Sequence, residues 1–154
     1  MLTGLCAFPL TPLSEDGVDE VALARLVRRL ADAGVDSVGA LGSTGSYAYL
    51  TRDERRVLAG VAVEAAGDVP VVVGVGALRT RDVLGHVEDA QAAGAAGLLL
   101  APVSYQALTE EEVFGLYRDV TASASVPVVV YDNPGTTHFR FSDELHARIA
   151  ALPG

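Results

Sequence analysis

Two short polar motifs each follow an apolar run that reads as a buried strand. Gly42-Ser43-Thr44-Gly45 follows Ser37-Val38-Gly39-Ala40-Leu41, and Tyr131-Asp132-Asn133-Pro134-Gly135-Thr136-Thr137 follows Val126-Pro127-Val128-Val129-Val130. Parallel α/β proteins bind ligands at the carboxyl ends of their strands, so both motifs stand where chemistry is expected. The first offers hydroxyls and backbone N–H groups in a tight loop, which suits a carboxylate or phosphate oxygen. An ordinary strand-to-helix turn uses the same residue types. Tyr131 places a phenol at the end of a valine run, where it can relay a proton if another hydroxyl bonds it. A tyrosine at the core edge with its O–H satisfied would look the same, and Tyr105 is open to both readings. No side-chain amine is present, because all eleven Lys+Arg residues are arginine.

The remaining reactive residue types point away from other chemistries. Gly74-Val75-Gly76 lacks the third glycine of a dinucleotide fingerprint and has the wrong spacing for a P-loop, so a close-packed turn is expected. His86, His138 and His146 fall mid-helix, in a loop and on the last helix, which is no zinc spacing; no metal and no cofactor are expected. Cys6 is the only cysteine. It sits in a strand read as buried, Leu2 to Phe8, and is expected to be a structural thiol in a reducing cytosol. The formal charge of −9 argues against nucleic acid as a partner. Arg25, Arg28 and Arg29, and likewise Arg52, Arg55 and Arg56, lie in helical patterns and read as solvated helix faces. No apolar run reaches the roughly 20 residues of a bilayer span, and no charged-then-apolar leader opens the chain. The expected location is therefore cytoplasmic, with no membrane partner.

The elements that must position these motifs alternate strand and helix. Strands are expected at Leu2 to Phe8, Ser37 to Leu41, Val69 to Val75, Gly97 to Ala101 and Val126 to Tyr131. Asp19 can cap a helix whose Leu23, Leu26, Val27 and Leu30 share one face, with Gly34 stopping it. Thr51 with Glu54, and Thr109 with Glu112, form S/T-x-x-E capping boxes, the second flanked by Leu108 and Val113 as a hydrophobic staple. Thr80 or Asp82 starts a helix that Gly94 ends, and Ser142 caps the last one. Five such βα units of roughly 25–35 residues fill the chain. They fit either a complete five-stranded doubly wound parallel sheet or the first five units of a (β/α)8 TIM barrel. Polar residues gather at the strand ends (Thr11, Ser43, Thr44, Ser104, Tyr105, Tyr131) and are sparse at the opposite side, the asymmetry a barrel with one functional face predicts.

With these residues in view, the chain resembles the dihydrodipicolinate synthase and N-acetylneuraminate lyase family of class I aldolases. The matching pieces are Thr11-Pro12, Gly42-Ser43-Thr44-Gly45, Leu50-Thr51-x-x-Glu54-Arg55, Gly74-Val75-Gly76, Pro102 with Tyr105, and Tyr131-x-x-Pro134, in family order and spacing over essentially the whole chain. The resemblance implies a barrel that binds pyruvate or a related 2-oxo acid as a Schiff base, without a cofactor. It implies that Ser43 and Thr44, in the loop opened by Gly42, hold the oxo-acid carboxylate. Tyr131 and Ser43 would belong to a proton relay, which Tyr105, or its neighbour Ser104, would complete across a dimer interface. Ser46, Asp132 and Thr136 depart from the family's Glu, Asn and, in dihydrodipicolinate synthases, an arginine that reads a second carboxylate. The last departure favours a different aldehyde partner.

The family's Schiff-base lysine belongs on strand six, about one βα unit after the tyrosine, whereas this sequence runs to Leu152-Pro153-Gly154, where that strand should begin. The expectation is one α/β domain over residues 1–154, a barrel lacking units six to eight. Its parent would be a homo-oligomeric lyase or aldolase acting on a 2-oxo acid and an aldehyde. The chain by itself, without the lysine, would be inactive. The alternative is a non-catalytic, doubly wound domain that binds a small ligand.

Overall fold

Local signals set the helix boundaries. In the computed structural model, which describes residues 3–15 and 17–153, the strand β1 (Cys6–Ala7) leads into a hairpin of β2 (Leu13–Ser14) and β3 (Gly17–Val18), then α1 (Glu20–Asp32). There follow β4 (Ser37–Ala40), a 3-10 turn (Tyr47–Tyr49), α2 (Arg52–Ala66), β5 (Val71–Gly74), α3 (Thr80–Ala92), β6 (Gly97–Leu100) and α4 (Glu110–Ser123). The chain continues with β7 (Val128–Val130), the one-turn α5 (Pro134–Thr137) and α6 (Asp143–Ala150). Asp19 accepts the Ala22 N–H, and Ser142 accepts the Leu145 N–H. Both capping boxes form as read, at Thr51 with Glu54 and at Thr109 with Glu112. Each box satisfies two backbone donors that the helix itself leaves open. Helix α3 starts at Thr80 without a side-chain cap.

Five strands form one parallel sheet in the order β1-β4-β5-β6-β7, which is also their order along the chain. This settles the choice between architectures. A doubly wound sheet reverses direction at a switch point and so puts its first strand inside. Here β1 is an edge, and every crossover advances the same way, as a barrel requires. The doubly wound alternative is therefore set aside. The three inner strands are buried along their whole length, while β7 at the far edge is half-buried. The reading of strand one as buried is also corrected. Cys6 and Ala7 are half-buried and Leu5 and Phe8 are exposed, because an edge strand has a neighbour on one side only; Leu2 lies outside the described residues. The β2–β3 hairpin, with Leu13 opposite Val18, was not anticipated, since two-residue strands carry no readable alternation.

Helices pack as successive neighbours over the buried face of the sheet. The core joins Leu23 and Val27 of α1, Leu58 and Ala62 of α2, Val83 and Val87 of α3, Val113 and Tyr117 of α4, and Leu145 of α6. Two bidentate ion pairs tie helices together. Arg52 of α2 holds Asp89 of α3 at 2.7 and 3.0 Å, and Arg148 of α6 holds Glu111 of α4 at 2.6 and 3.0 Å. Among the described residues no helix is long and apolar enough to cross a membrane.

Arg55 overturns the reading of its cluster as a solvated face. Its side chain is buried, and its guanidinium donates to Gly76 O at 3.0 Å and Gly74 O at 2.8 Å. It points inward to the end of β5 rather than outward. Burial pulls its pKa down to about 10, so it stays charged at neutral pH. His86 of α3 is buried nearby. Burial first, and then repulsion by Arg55 and Arg52 against the weaker pull of Asp89 and Asp82, lowers its pKa to about 4.

The folded protein thus keeps His86 neutral, whereas the unfolded chain would protonate it near its ordinary value of 6.5. Its contribution is fully present above pH 6.5 and is lost as the pH falls toward 4. Urea midpoints measured from pH 7 to 5, where most carboxylates remain ionised, should fall for the wild type. The slope should be shallower for His86→Gln.

Candidate active site

The site is assembled from backbone first. Strand β4 stops at Ala40 because Leu41 turns into the left-handed region, with φ 56°. Such a conformation in a buried Leu is strained and is held by its surroundings. Its carbonyl oxygen lies against Gly74 at the end of β5, where any Cβ would overlap it. The Phe8 ring covers Gly39 and Gly42, and a Cβ on Gly42 would come within 3.0 Å of that ring. The loop then closes in two consecutive turns, Gly45 N–H to Gly42 O at 3.0 Å and Ser46 N–H to Ser43 O at 3.1 Å. Ser46 is itself left-handed, with φ 54°, and starts the 3-10 turn.

The second motif is fixed from the neighbouring strand. Tyr131 N–H and the Tyr117 hydroxyl both donate to the Leu100 carbonyl, at 3.0 and 2.6 Å. Tyr117 is fully buried, and burial raises its pKa well above that of a free phenol, so it acts as a permanent donor. Asn133 precedes α5 with Pro134 at its first position, where a missing N–H costs nothing. Thr136 and Thr137 donate back to the Asn133 carbonyl at 3.2 and 3.0 Å.

These two assemblies meet. Ser43 Oγ and Tyr131 Oη lie 2.9 Å apart across 88 residues of sequence, and Asn133 Nδ2 donates to the same phenol oxygen at 3.0 Å. Partial burial works to raise the Tyr131 pKa, but the hydrogen bonds of Ser43 and Asn133, with Thr136 adding to them, outweigh it and bring the phenol below its ordinary value. A phenol whose oxygen is bonded this way gives up and takes back its proton more readily. The pair opens on a small cavity of about 10 Å³, room for a water, walled by Gly74, Gly76, Leu99 and Ala101 as well as by Ser43, Tyr47 and Tyr131.

Of the residues singled out in the sequence, Ser43 and Tyr131 come together, with Gly42 buried beneath them. Thr44 is exposed at the tip of the same loop. Tyr105 is 94% exposed in the loop after β6, and Ser104 donates to Gln106 O within that loop. Asp132 turns outward to His146 at 3.2 Å, whose ring stacks on Phe141. Sequence reasoning did not place Asn133 or Tyr47 in the site. The spacing of Asn133 two residues beyond Tyr131 could have found it, since alternate residues of an extended segment share a side. Nothing in the sequence announced the left-handed Ser46 that swings Tyr47 inward.

Strand order and pocket define a class, the (β/α)8 barrel with its ligand site at the carboxyl ends of the strands, of which five units are present. Comparison with known proteins narrows this. The family model described as "Dihydrodipicolinate synthetase family" matches residues 1–154. A 4-hydroxy-tetrahydrodipicolinate synthase from Thiobacillus denitrificans is 37% identical over 147 residues, covering 94% of this chain and 49% of the relative. The crystal structure of dihydrodipicolinate synthase from Agrobacterium tumefaciens superposes with a TM-score of 0.95 at 49% identity, covering 98% of this chain and 52% of that one. A prophage protein of the dihydrodipicolinic acid synthase family from E. coli K12, solved in complex with pyruvate, gives 0.92 at 30% identity, covering 97% and 51%. The chain belongs to the dihydrodipicolinate synthetase family. It spans about half the length of the curated relatives it matches.

The hydrogen bond between Ser43 and Tyr131 can be read directly. Ser43→Ala should raise the titration midpoint of one phenol, followed by tyrosinate absorbance, and that phenol should be missing from the same titration of Tyr131→Phe.

Proposed function

We propose that the protein carrying this chain is a Schiff-base lyase or aldolase that makes or breaks a carbon–carbon bond next to pyruvate or a related 2-oxo acid. The observation that carries this reading is the close Ser43–Tyr131 pair with Asn133 behind it, at the strand ends of a barrel of this family. The E. coli relative solved with pyruvate supports the substrate class. In this reading the loop of Gly42, Ser43 and Thr44 receives the oxo-acid carboxylate through hydroxyl and backbone N–H donors.

The amine must come from outside these 154 residues, which contain no lysine. Its nitrogen adds to the 2-oxo carbon, and loss of the former carbonyl oxygen as water leaves an iminium that draws electrons from the neighbouring carbon. That loss needs a proton delivered to the oxygen, and Tyr131 Oη supplies it, with Ser43 Oγ passing the replacement. Tyr105, exposed on this chain, completes the relay from a second copy, so the working form is a homo-oligomer. The protein acts in the cytoplasm on a 2-oxo acid and an aldehyde.

Incubating the full-length protein with pyruvate and borohydride should attach one reduced pyruvyl group to a lysine outside residues 1–154. The 154-residue chain with a blocked terminal amine should show no adduct. Absence of the adduct in the full-length protein would sink the lyase reading and favour a non-catalytic small-ligand domain.

Tyr131→Phe in the full-length protein should lower turnover by about 10²–10⁴-fold, the range of a lost acid–base group, with pyruvate affinity much less affected. Near-normal turnover would make Tyr131 a packing residue.

A further inference from the structure

Arg55 is a buried cation beside the site to which the proposed relay gives no part. The Thr51–Glu54 box fixes the start of α2, and Arg55 N–H donates to Thr51 O at 3.0 Å, so the side chain leaves the helix in a fixed register. Its Nη2 donates to Gly74 O at 2.8 Å and its Nη1 to Gly76 O at 3.0 Å. Its guanidinium carbon lies 5.1 Å from the centroid of the Tyr47 ring. One side chain thus grips the segment Gly74-Val75-Gly76 at two points, one residue apart from each other.

That segment stands between the two halves of the hydroxyl pair. On one side the Leu41 carbonyl lies so close to Gly74 that a Cβ there would overlap it, and the same Cβ would come within 3.4 Å of Gly42 N. Ser43 is the next residue. On the other side Val75 N–H donates to Leu99 O at 2.9 Å, and the adjoining Leu100 carbonyl takes the Tyr131 N–H at 3.0 Å. Gly74 and Gly76 also wall the small cavity on which Ser43 and Tyr131 open. A displacement of residues 74–76 would therefore be felt by both hydroxyls. The route from Arg55 to Tyr131 runs through backbone rather than through its charge. The phenol's affinity for its proton is set by burial, which raises it, and by the hydrogen bonds of Ser43, Asn133 and Thr136, which lower it.

Resting on the lyase reading above, we propose that Arg55 is a positioning residue, whose clamp on Gly74 and Gly76 holds Ser43 Oγ and Tyr131 Oη at the separation that proton transfer requires. An arginine suits the task because its planar fork delivers two N–H groups in fixed directions. Transfer between two oxygens needs hydrogen-bond reach, about 2.6–3.2 Å. The observed 2.9 Å leaves little slack, so a small shift of the segment breaks the relay without disturbing the strands that carry it.

The test uses the full-length protein that carries this chain. Arg55→Gln loses the fork, and Arg55→Met loses every donor while an unbranched stem still fills part of the space, so the question stays open to measurement should one of them fail to fold. Either variant should raise the midpoint of the phenol that is missing from the Tyr131→Phe titration, in the direction expected of Ser43→Ala. Either should also slow formation of the borohydride-trapped adduct at saturating pyruvate by about 10–10²-fold, the scale of a misplaced catalytic group. Combined with Ser43→Ala, the Arg55 variant should add less than about twofold, because both changes act through one bond. Val83→Ala, which thins the core under α3, controls for lost stability: it should lower the melting temperature and leave both readings unmoved. An unmoved phenol midpoint overturns the assignment. So do losses that multiply in the combined variant, or a Val83→Ala protein that matches the Arg55 variants. A wild-type protein that traps no adduct overturns the lyase reading itself, while the phenol midpoints, which need no turnover, still decide whether the clamp sets the pair.

Discussion

The buried guanidinium of Arg55 is the interaction on which the rest of the site depends. Two carbonyls at the end of β5, those of Gly74 and Gly76, accept from its terminal nitrogens in the buried interior. A buried carbonyl without a donor costs on the order of 1–3 kcal/mol. One planar cation meets both. It does so from helix α2, whose start is fixed by the Thr51–Glu54 box, so the helix register and the strand end are set against each other. Among the described residues no carboxylate pairs with that charge. Instead it is spread over two carbonyl dipoles and the face of Tyr47. Among the described residues its Nε has no partner, a remaining cost that the two strong bonds offset.

From that brace the pocket follows in order. The end of β5 must present glycine, because the Leu41 carbonyl occupies the space of a side chain at residue 74. Leu41 must be left-handed to turn its carbonyl there, and that turn lifts the loop bearing Ser43 toward β7. On the far side, the Leu100 carbonyl accepts from both Tyr117 and Tyr131 and so sets the height of the phenol above the sheet. The 2.9 Å approach of two hydroxyls is thus the closing contact of a chain of backbone constraints across four neighbouring strands.

What the sequence made legible was whatever depends on neighbours a few residues away. Both capping boxes, the Asp19 and Ser142 caps and the stops at Gly34 and Gly94 appear where their residue types put them, since each is a contact within one helical turn. The two polar loops stood out for the same reason. Arg55 was misread because an arginine between Arg52 and Arg56 in a helical pattern has no local mark of burial. Its partners are carbonyls about 20 residues on, and a carbonyl has no residue identity. The left-handed Leu41 and Ser46 were equally silent, neither being glycine or asparagine. The choice between barrel and doubly wound sheet lay outside periodicity altogether, since both use the same units and differ only in which strands become neighbours.

The contact between Leu41 and Gly74 carries a consequence for how such a chamber can change over generations. Main-chain atoms, which every sequence shares, form that part of its wall. Drift or directed selection can exchange the groups on the two flanking loops, but the floor between them accepts no new side chain. Diversity in what the chamber admits is thereby channelled to the rim, leaving an invariant base on which different chemistries can be tried without rebuilding the scaffold.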